Sequence, residues 1–221
     1  TKIYGIQGFG YDSTKRVLRF DVPIFECNSR CGCDASCVNR AMIRQVAQQG
    51  RTVDMSVEKT VDKGWAVRNS DSPIAAGQFV GIFAGELITA AESELRTLLY
   101  SSQPMQSIFD LDFWHIRGHQ PFFSVDSHRV GNFTRFLNHS CEPNIRPVAV
   151  YVDAQRISTP LIAFFALRDI QPGEELCISY SGSYKPILVS QSTADETAGN
   201  DHFTTAFVCL CGAETCRSRR L

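Results

Sequence analysis

Arg135-Phe136-Leu137-Asn138-His139-Ser140-Cys141-Glu142-Pro143-Asn144 is the most informative segment of this 221-residue chain. An apolar Phe-Leu pair gives way to a run of polar and turn-forming residues, a pattern that suits a ligand-facing turn better than a packed element. A thiol close to an imidazole also suggests a nucleophile, but His139 and Cys141 stand too near each other in sequence to be expected to pair. Cys141 belongs more naturally with the other cysteines. Nine are present, four in Cys27-x3-Cys31-x-Cys33-x3-Cys37 and three in Cys209-x-Cys211-x4-Cys216, with Cys141 and Cys177 standing alone.

A disulfide framework would fit the sequons Asn132-Phe133-Thr134 and Asn138-His139-Ser140,. Residues two apart rarely reach disulfide geometry with each other, whereas close-spaced thiolates are what a tetrahedral zinc needs. The expected zinc ligands are Cys27, Cys31, Cys33 and Cys37 in one site, and Cys209, Cys211 and Cys216 in the other, with Cys141 as the fourth. Cys177 lies in the alternating run Glu175 to Tyr180 and reads as a buried small hydrophobe.

Outward from these sites the chain is 43% apolar and 20% charged, with 22 basic and 23 acidic residues. A formal charge of −1 provides no global field for a nucleic-acid backbone,. Arg217, Arg219 and Arg220 cluster, but three terminal arginines are usually a solvated end, so direct nucleic-acid binding is not expected. No stretch approaches the roughly 20 unbroken apolar residues of a membrane span. The chain starts at Thr1 without an apolar leader, so it is expected to be a piece of a longer protein,.

Short β-like runs follow one another: Thr52 to Thr60, Gln78 to Phe83, Ile108 to Phe113, Phe122 to Val125, Val148 to Val152, Leu161 to Leu167 and Glu175 to Tyr180,. One helix is expected where Thr89 and Glu92 form a capping box ahead of Leu95, Leu98 and Leu99 on one face. Residues 1–50 show no long periodic element and read as a metal-ordered appendage. Lys185 to His202 is rich in Ser, Thr, Asp and Gly and reads as a mobile connection,. The expected organisation is a partial N-terminal zinc region at 1–50, a mostly β domain with few short helices at 51–184, a connection at 185–205 and a zinc motif at 206–221.

The decisive segment resembles the signature of SET-domain protein lysine methyltransferases. Lys63-Gly64-Trp65-Ala66-Val67 resembles the family's opening motif, Phe83-Ala84-Gly85-Glu86-Leu87-Ile88 its next strand and turn, and Ile108-Phe109-Asp110-Leu111-Asp112 its central strand. Asp169 to Leu176 with Ser179-Tyr180 resembles the closing motif. Cys209-Leu210-Cys211-Gly212-x3-Cys216-Arg217 is similar to the post-SET zinc motif, and Phe25-Glu26-Cys27-Asn28 through Asn39-Arg40 to the second half of the pre-SET. The flanking pair points to the histone H3 lysine 9 subfamily.

The resemblance implies a SET β-fold with a pseudoknot, S-adenosylmethionine as cofactor, zinc in structural sites only, the histone H3 tail and chromatin-associated proteins as partners, and a nuclear, chromatin location. It places Asn138 and His139 on the adenosyl part of the cofactor, Lys63, Gly64 and Trp65 on the methionine side, Arg135 nearby, and Tyr180 at the point of methyl transfer. Several positions depart from the pattern. Ser107 stands where a Tyr is usual, Ile178 where a Phe or Tyr limits methyl number, Ser179 for an Asp and Ala66 for a Gly; Arg129 or Val130 and Arg219 replace cofactor-side aromatics. The competing expectation is therefore a weak or inactive SET-like module serving as a chromatin scaffold.

Overall fold

A computed structural model of the chain describes residues 10–49, 53–100, 107–113, 121–152, 156–180, 182 and 209–216. The expected connection at 185–205 and Arg217, Arg219 and Arg220 lie outside the described residues.

The main sheet has four strands, β1 (Ile24–Phe25), β4 (Phe79–Ile82), β9 (Ile145–Tyr151) and β10 (Leu161–Ala166), in the order β1-β9-β10-β4. The unbroken apolar run of β10 is explained by burial on both faces. Ile162, Phe164 and Ala166 point into one cluster with Val80, Leu137, Ile145 and Leu176, while Ala163 and Phe165 point into a second with Phe79, Val148 and Val150,. Phe164 and Phe165 are fully buried, each contributing roughly 1.5–3 kcal/mol relative to exposure,.

The second cluster is closed by the N-terminal region, and here the sequence expectation is corrected. Tyr11, Val17, Ile24, Ala41 and Met42 all pack into it, β1 pairs in parallel with β9, and a nine-residue helix, α1 (Ala41–Gln49), follows a 3-10 turn at Val38–Arg40. Buried Glu26 ties these parts together, accepting from the Tyr11 hydroxyl at 2.6 Å and from the Met42 amide at 2.9 Å. Metal is thus not the only thing that orders this region.

Two smaller sheets complete the scaffold. A hairpin joins β2 (Met55–Lys59) to β3 (Trp65–Asn69), and β5 (Glu86–Thr89), β7 (Phe123–Asp126) and β6 (Ile108–Asp110) form a three-stranded sheet in that order. The helix α2 (Ala90–Tyr100) begins at the expected cap, with the Glu92 amide 3.3 Å from Thr89 Oγ1. Its leucines are turned outward, Leu98 and Leu99 being 71% and 73% exposed. The inward face carries the buried Ser93 and Arg96, the latter drawn by the buried Asp126 at 2.8 Å and by Glu86 at 2.6 Å. Charge pairing has overridden the apolar stripe in orienting this helix.

Candidate functional site

The site is built where two distant segments meet side by side. The turn at Phe133–Phe136 is capped by Asn132, whose Oδ1 accepts from the Thr134 amide at 3.1 Å and whose Nδ2 donates to Ile82 O at 2.9 Å. Leu137 is then buried, and the two residues after it are half-buried. Asn138 and His139 form β8, a two-residue strand paired in parallel with β11 (Cys177–Ile178), where the sequence suggested a turn. Asn144, almost fully buried, clamps β11 in place: its Oδ1 accepts from the Cys177 amide at 2.8 Å and its Nδ2 donates to Glu175 O at 2.8 Å.

The expected cofactor residues converge on this pair. Asn138 Nδ2 donates to Trp65 O at 3.0 Å and to Glu175 Oε1 at 2.9 Å, while Glu175 Oε2 takes Lys63 Nζ at 2.5 Å. Gly64 makes the turn into β3 with φ +75°; no atom would touch an added Cβ, so the requirement for glycine is one of backbone conformation,. Arg135 stacks on Phe136, its guanidinium carbon 5.3 Å from the ring centroid, and Phe136 lies 6.2 Å from Trp65. Arg135 Nε is buried without a hydrogen-bond partner among the described residues, and Trp65 is 47% exposed. A buried unsatisfied donor beside a half-exposed indole fits a site for a polar, ring-bearing ligand. Glu175 and Asn144 were not singled out from the sequence, although both lie inside the quoted motifs.

Tyr180 closes the group. Its amide donates to His139 Nδ1 at 3.1 Å, its hydroxyl donates to Leu137 O at 2.8 Å, and its ring lies 5.5 Å from the imidazole. The residue is 43% exposed, but its hydroxyl is turned inward onto Leu137 O, and desolvation there, helped by Cys177 and Glu175, pushes its pKa up to about 12, so it remains a neutral phenol,. Burial likewise holds His139 below the usual imidazole value. Ser107 is buried, with Oγ 3.4 Å from Asp126 Oδ1. Ile178 belongs to the first core cluster.

The cysteines divide as follows. Cys141, Cys209, Cys211 and Cys216 place four thiol sulfurs within 4.8 Å of one another. Cys141 Sγ is 3.9 Å from those of both Cys209 and Cys216; thiolates on a tetrahedral zinc would be about 3.8 Å apart. Burial works to raise the Cys211 thiol, but backbone hydrogen bonds from Cys141 and Ala213 and the neighbouring thiols outweigh it and lower the group, while burial and the same neighbours raise Cys209, so the quartet holds its negative charge on Cys211 in the absence of a cation,. Cys27, Cys33 and Cys37 form a second group. Cys31 is not in it: exposed, it contacts Asn28 Oδ1 at 3.7 Å. Spacing alone could not show which thiols of the quartet point together. Cys177 is buried and pushed up to about 12 by that burial, as a neutral core thiol should be. None of the nine is in a disulfide.

One expectation is overturned. His139 and Cys141 do meet, Nε2 lying 3.5 Å from Sγ, because the Tyr180 amide holds the other ring nitrogen and turns the imidazole toward the thiol.

A SET domain family model matches residues 64–181, more than half of the chain. This chain belongs to the SET-domain family. The methyltransferase domain of human histone-lysine N-methyltransferase SETMAR superposes on this SET chain with a TM-score of 0.74 and 34% identity, over 96% of this chain and 72% of that one. The H3 lysine-9 specific histone-lysine N-methyltransferase of Schizosaccharomyces pombe is 37% identical over 216 residues, 95% of this chain and 40% of that protein. A structure of KRYPTONITE with mCHH DNA, an H3(1-15) peptide and SAH aligns at a TM-score of 0.66 and 29% identity, over 96% of this chain and 38% of that chain. The chain spans 11% to 50% of the length of the curated relatives it matches. No helix among the described residues is long and apolar enough to cross a membrane.

Proposed function

We propose that the chain is an S-adenosylmethionine-dependent protein lysine N-methyltransferase acting on the histone H3 tail, with lysine 9 as its target. The observation that carries this reading is the β8–β11 pair, which brings Asn138, His139 and Tyr180 together beside Lys63, Gly64, Trp65 and Arg135. Relatives named as H3 lysine-9 methyltransferases, and a neighbour bound to an H3 peptide and SAH, support the substrate and the cofactor. A nuclear, chromatin location and chromatin-associated partners follow from a histone substrate. The same reading keeps 1–50, 51–184, 185–205 and 206–221 as the pre-SET, SET, connecting and post-SET regions.

S-adenosylmethionine would supply an electrophilic methyl group on a sulfonium. Both amide hydrogens of Asn138 are engaged within the protein, so the group it offers a ligand is its carboxamide oxygen,. Lys63 is neutralised by Glu175, which lessens its repulsion of a positive sulfonium,. Tyr180 spends its proton on Leu137 O, leaving the phenol oxygen to accept from the polarised methyl or the incoming amine. A free lysine titrates near 10.4, and desolvation at such a site favours the neutral nucleophile. Zinc at Cys141, Cys209, Cys211 and Cys216, and metal at the N-terminal cluster, stay structural.

The test is mass spectrometry of an H3 tail peptide after incubation with the chain and S-adenosylmethionine, with cofactor affinity measured by calorimetry. Methylation should fall on lysine 9 of the histone peptide, and Tyr180→Phe should slow it about 100-fold with little change in cofactor affinity, the mark of a contact felt in the transition state. Cofactor binding without transfer would sink the enzyme reading and favour a scaffold.

A further inference from the structure

We propose that His139 is a positioning residue that joins the C-terminal metal site to the segment after β11 that carries Tyr180, donating an Nε2–H hydrogen bond to the Cys141 thiolate while its Nδ1 holds the Tyr180 amide. The inference rests on reading the four thiols as a zinc site, and not on the methyl-transfer reaction.

The ring nitrogens have different partners, and one of them sets the tautomer. A backbone amide can only donate, so the Tyr180 amide at 3.1 Å requires a lone pair on Nδ1,. The ring proton must then sit on Nε2, which faces Cys141 Sγ at 3.5 Å. A zinc-bound thiolate is a good acceptor for such an N–H, and partners behind metal ligands of this kind tune affinity and hold orientation. The backbone that carries the imidazole is also fixed. His139 is the β8 residue paired with Ile178 in β11, the Ser140 amide donates to Ile178 O at 2.9 Å, and the Tyr180 ring packs against the imidazole at 5.5 Å.

The route is therefore short and continuous: metal, Cys141 sulfur, imidazole, Tyr180 amide. On the far side, the Tyr180 hydroxyl is tied to Leu137 O, in the segment that leads into β8. Tyr180 is thus held at its amide through His139 and at its phenol by the backbone, so the metal site bears on the amide end of the residue. Thr215 adds a separate tie between the cysteine stretch and the turn after Cys141, its Oγ1 donating to Glu142 Oε1 at 2.7 Å.

The test uses the full chain loaded with cobalt(II) in place of zinc, together with nitrogen-15 spectra of the zinc form. The imidazole should show a protonated Nε2 and a bare Nδ1. His139→Phe should shift the thiolate-to-cobalt charge-transfer band and weaken cobalt affinity roughly tenfold or more. His139→Gln, whose side-chain amide can still donate to sulfur, should restore the band and most of the affinity, although the Tyr180 amide resonance stays displaced. A proton on Nδ1, or a charge-transfer band and cobalt affinity unchanged in His139→Phe, would overturn the bridge. A chain that holds no metal at the four cysteines would overturn the zinc reading and the bridge with it. Failure of methyl transfer alone would count against the proposed activity, since both spectra are read without substrate.

Discussion

The two cysteine clusters look alike in sequence and are held by opposite means. The N-terminal three-thiol group sits on a region with an apolar anchor of its own, in which Tyr11, Val17, Ile24 and Met42 share a core with Phe79 and Phe165. The C-terminal stretch, residues 209–216, contributes no buried hydrophobic side chain, and Leu210 is 52% exposed. Its attachments include the thiol cluster with Cys141, the backbone hydrogen bond from Cys141 to the Cys211 sulfur and the bond from Thr215 to Glu142. Where apolar burial is present, metal adds to a fold that already exists; where it is missing, metal binding is the folding free energy. The weaker scaffold is the one wired to the functional site.

The largest expected effect separates the clusters directly. Stripping metal with a chelator should lower S-adenosylmethionine affinity by more than about 100-fold, through loss of the Cys141 anchor beside His139, while the β1–β9 pair stays protected from hydrogen exchange. Early exchange at Ile24 and Phe25 would break the comparison by showing that the N-terminal region depends on metal just as heavily. Next in size, Tyr11→Phe removes a buried donor from Glu26 and should cost about 2 kcal/mol in urea unfolding, leaving zinc content at the C-terminal site unchanged,.

A third effect appears at alkaline pH. Tyr11 is held well above the usual phenol range by burial and by Glu26, and Tyr180 titrates at about 12. The unfolded chain loses these protons near pH 10 while the fold still holds them. Stability complete below pH 10 should therefore fall as pH rises toward 12, and absorbance titration should show Tyr11 and Tyr180, together with the raised Tyr100, among the late phenols,. Coincident titration of all tyrosines at the ordinary value would remove that coupling. The smallest effect sharpens the N-terminal site: Cys31→Ser should leave metal stoichiometry unchanged, whereas Cys33→Ser should lower it.

Much of this was legible because it was local. Alternating or continuous apolar runs marked β2, β4, β6, β7, β9, β10 and β11, and the spacing around Thr89 marked the start of α2. The partnership of Cys141 with the C-terminal cysteines and the isolation of Cys177 were also visible, since clusters of three need a fourth ligand and an alternating strand buries its thiol. What escaped depends on distant partners. Helix α1 follows a 3-10 turn with no side-chain cap and is held by docking Ala41 and Met42 into the second core cluster. The strand at Asn138–His139 is two residues long, too short for any period, and exists only because Cys177–Ile178 lies alongside. The outward leucines of α2 follow from Asp126 and Glu86, which sit in other strands and claim Arg96.

The parallel joining of β8 to β11 also sets a schedule for the newborn chain. His139 and Tyr180 are 41 residues apart, and at ribosomal speeds of about 5–20 residues per second the first waits about 2–8 s for the second. In that interval Asn138 and His139 have no strand beside them, and the thiol of Cys141 has no cluster, since Cys209 is made later still. The sheet can therefore form while the candidate site is still unbuilt, and synthesis of the cysteines at 209–216 decides when its metal side can be completed.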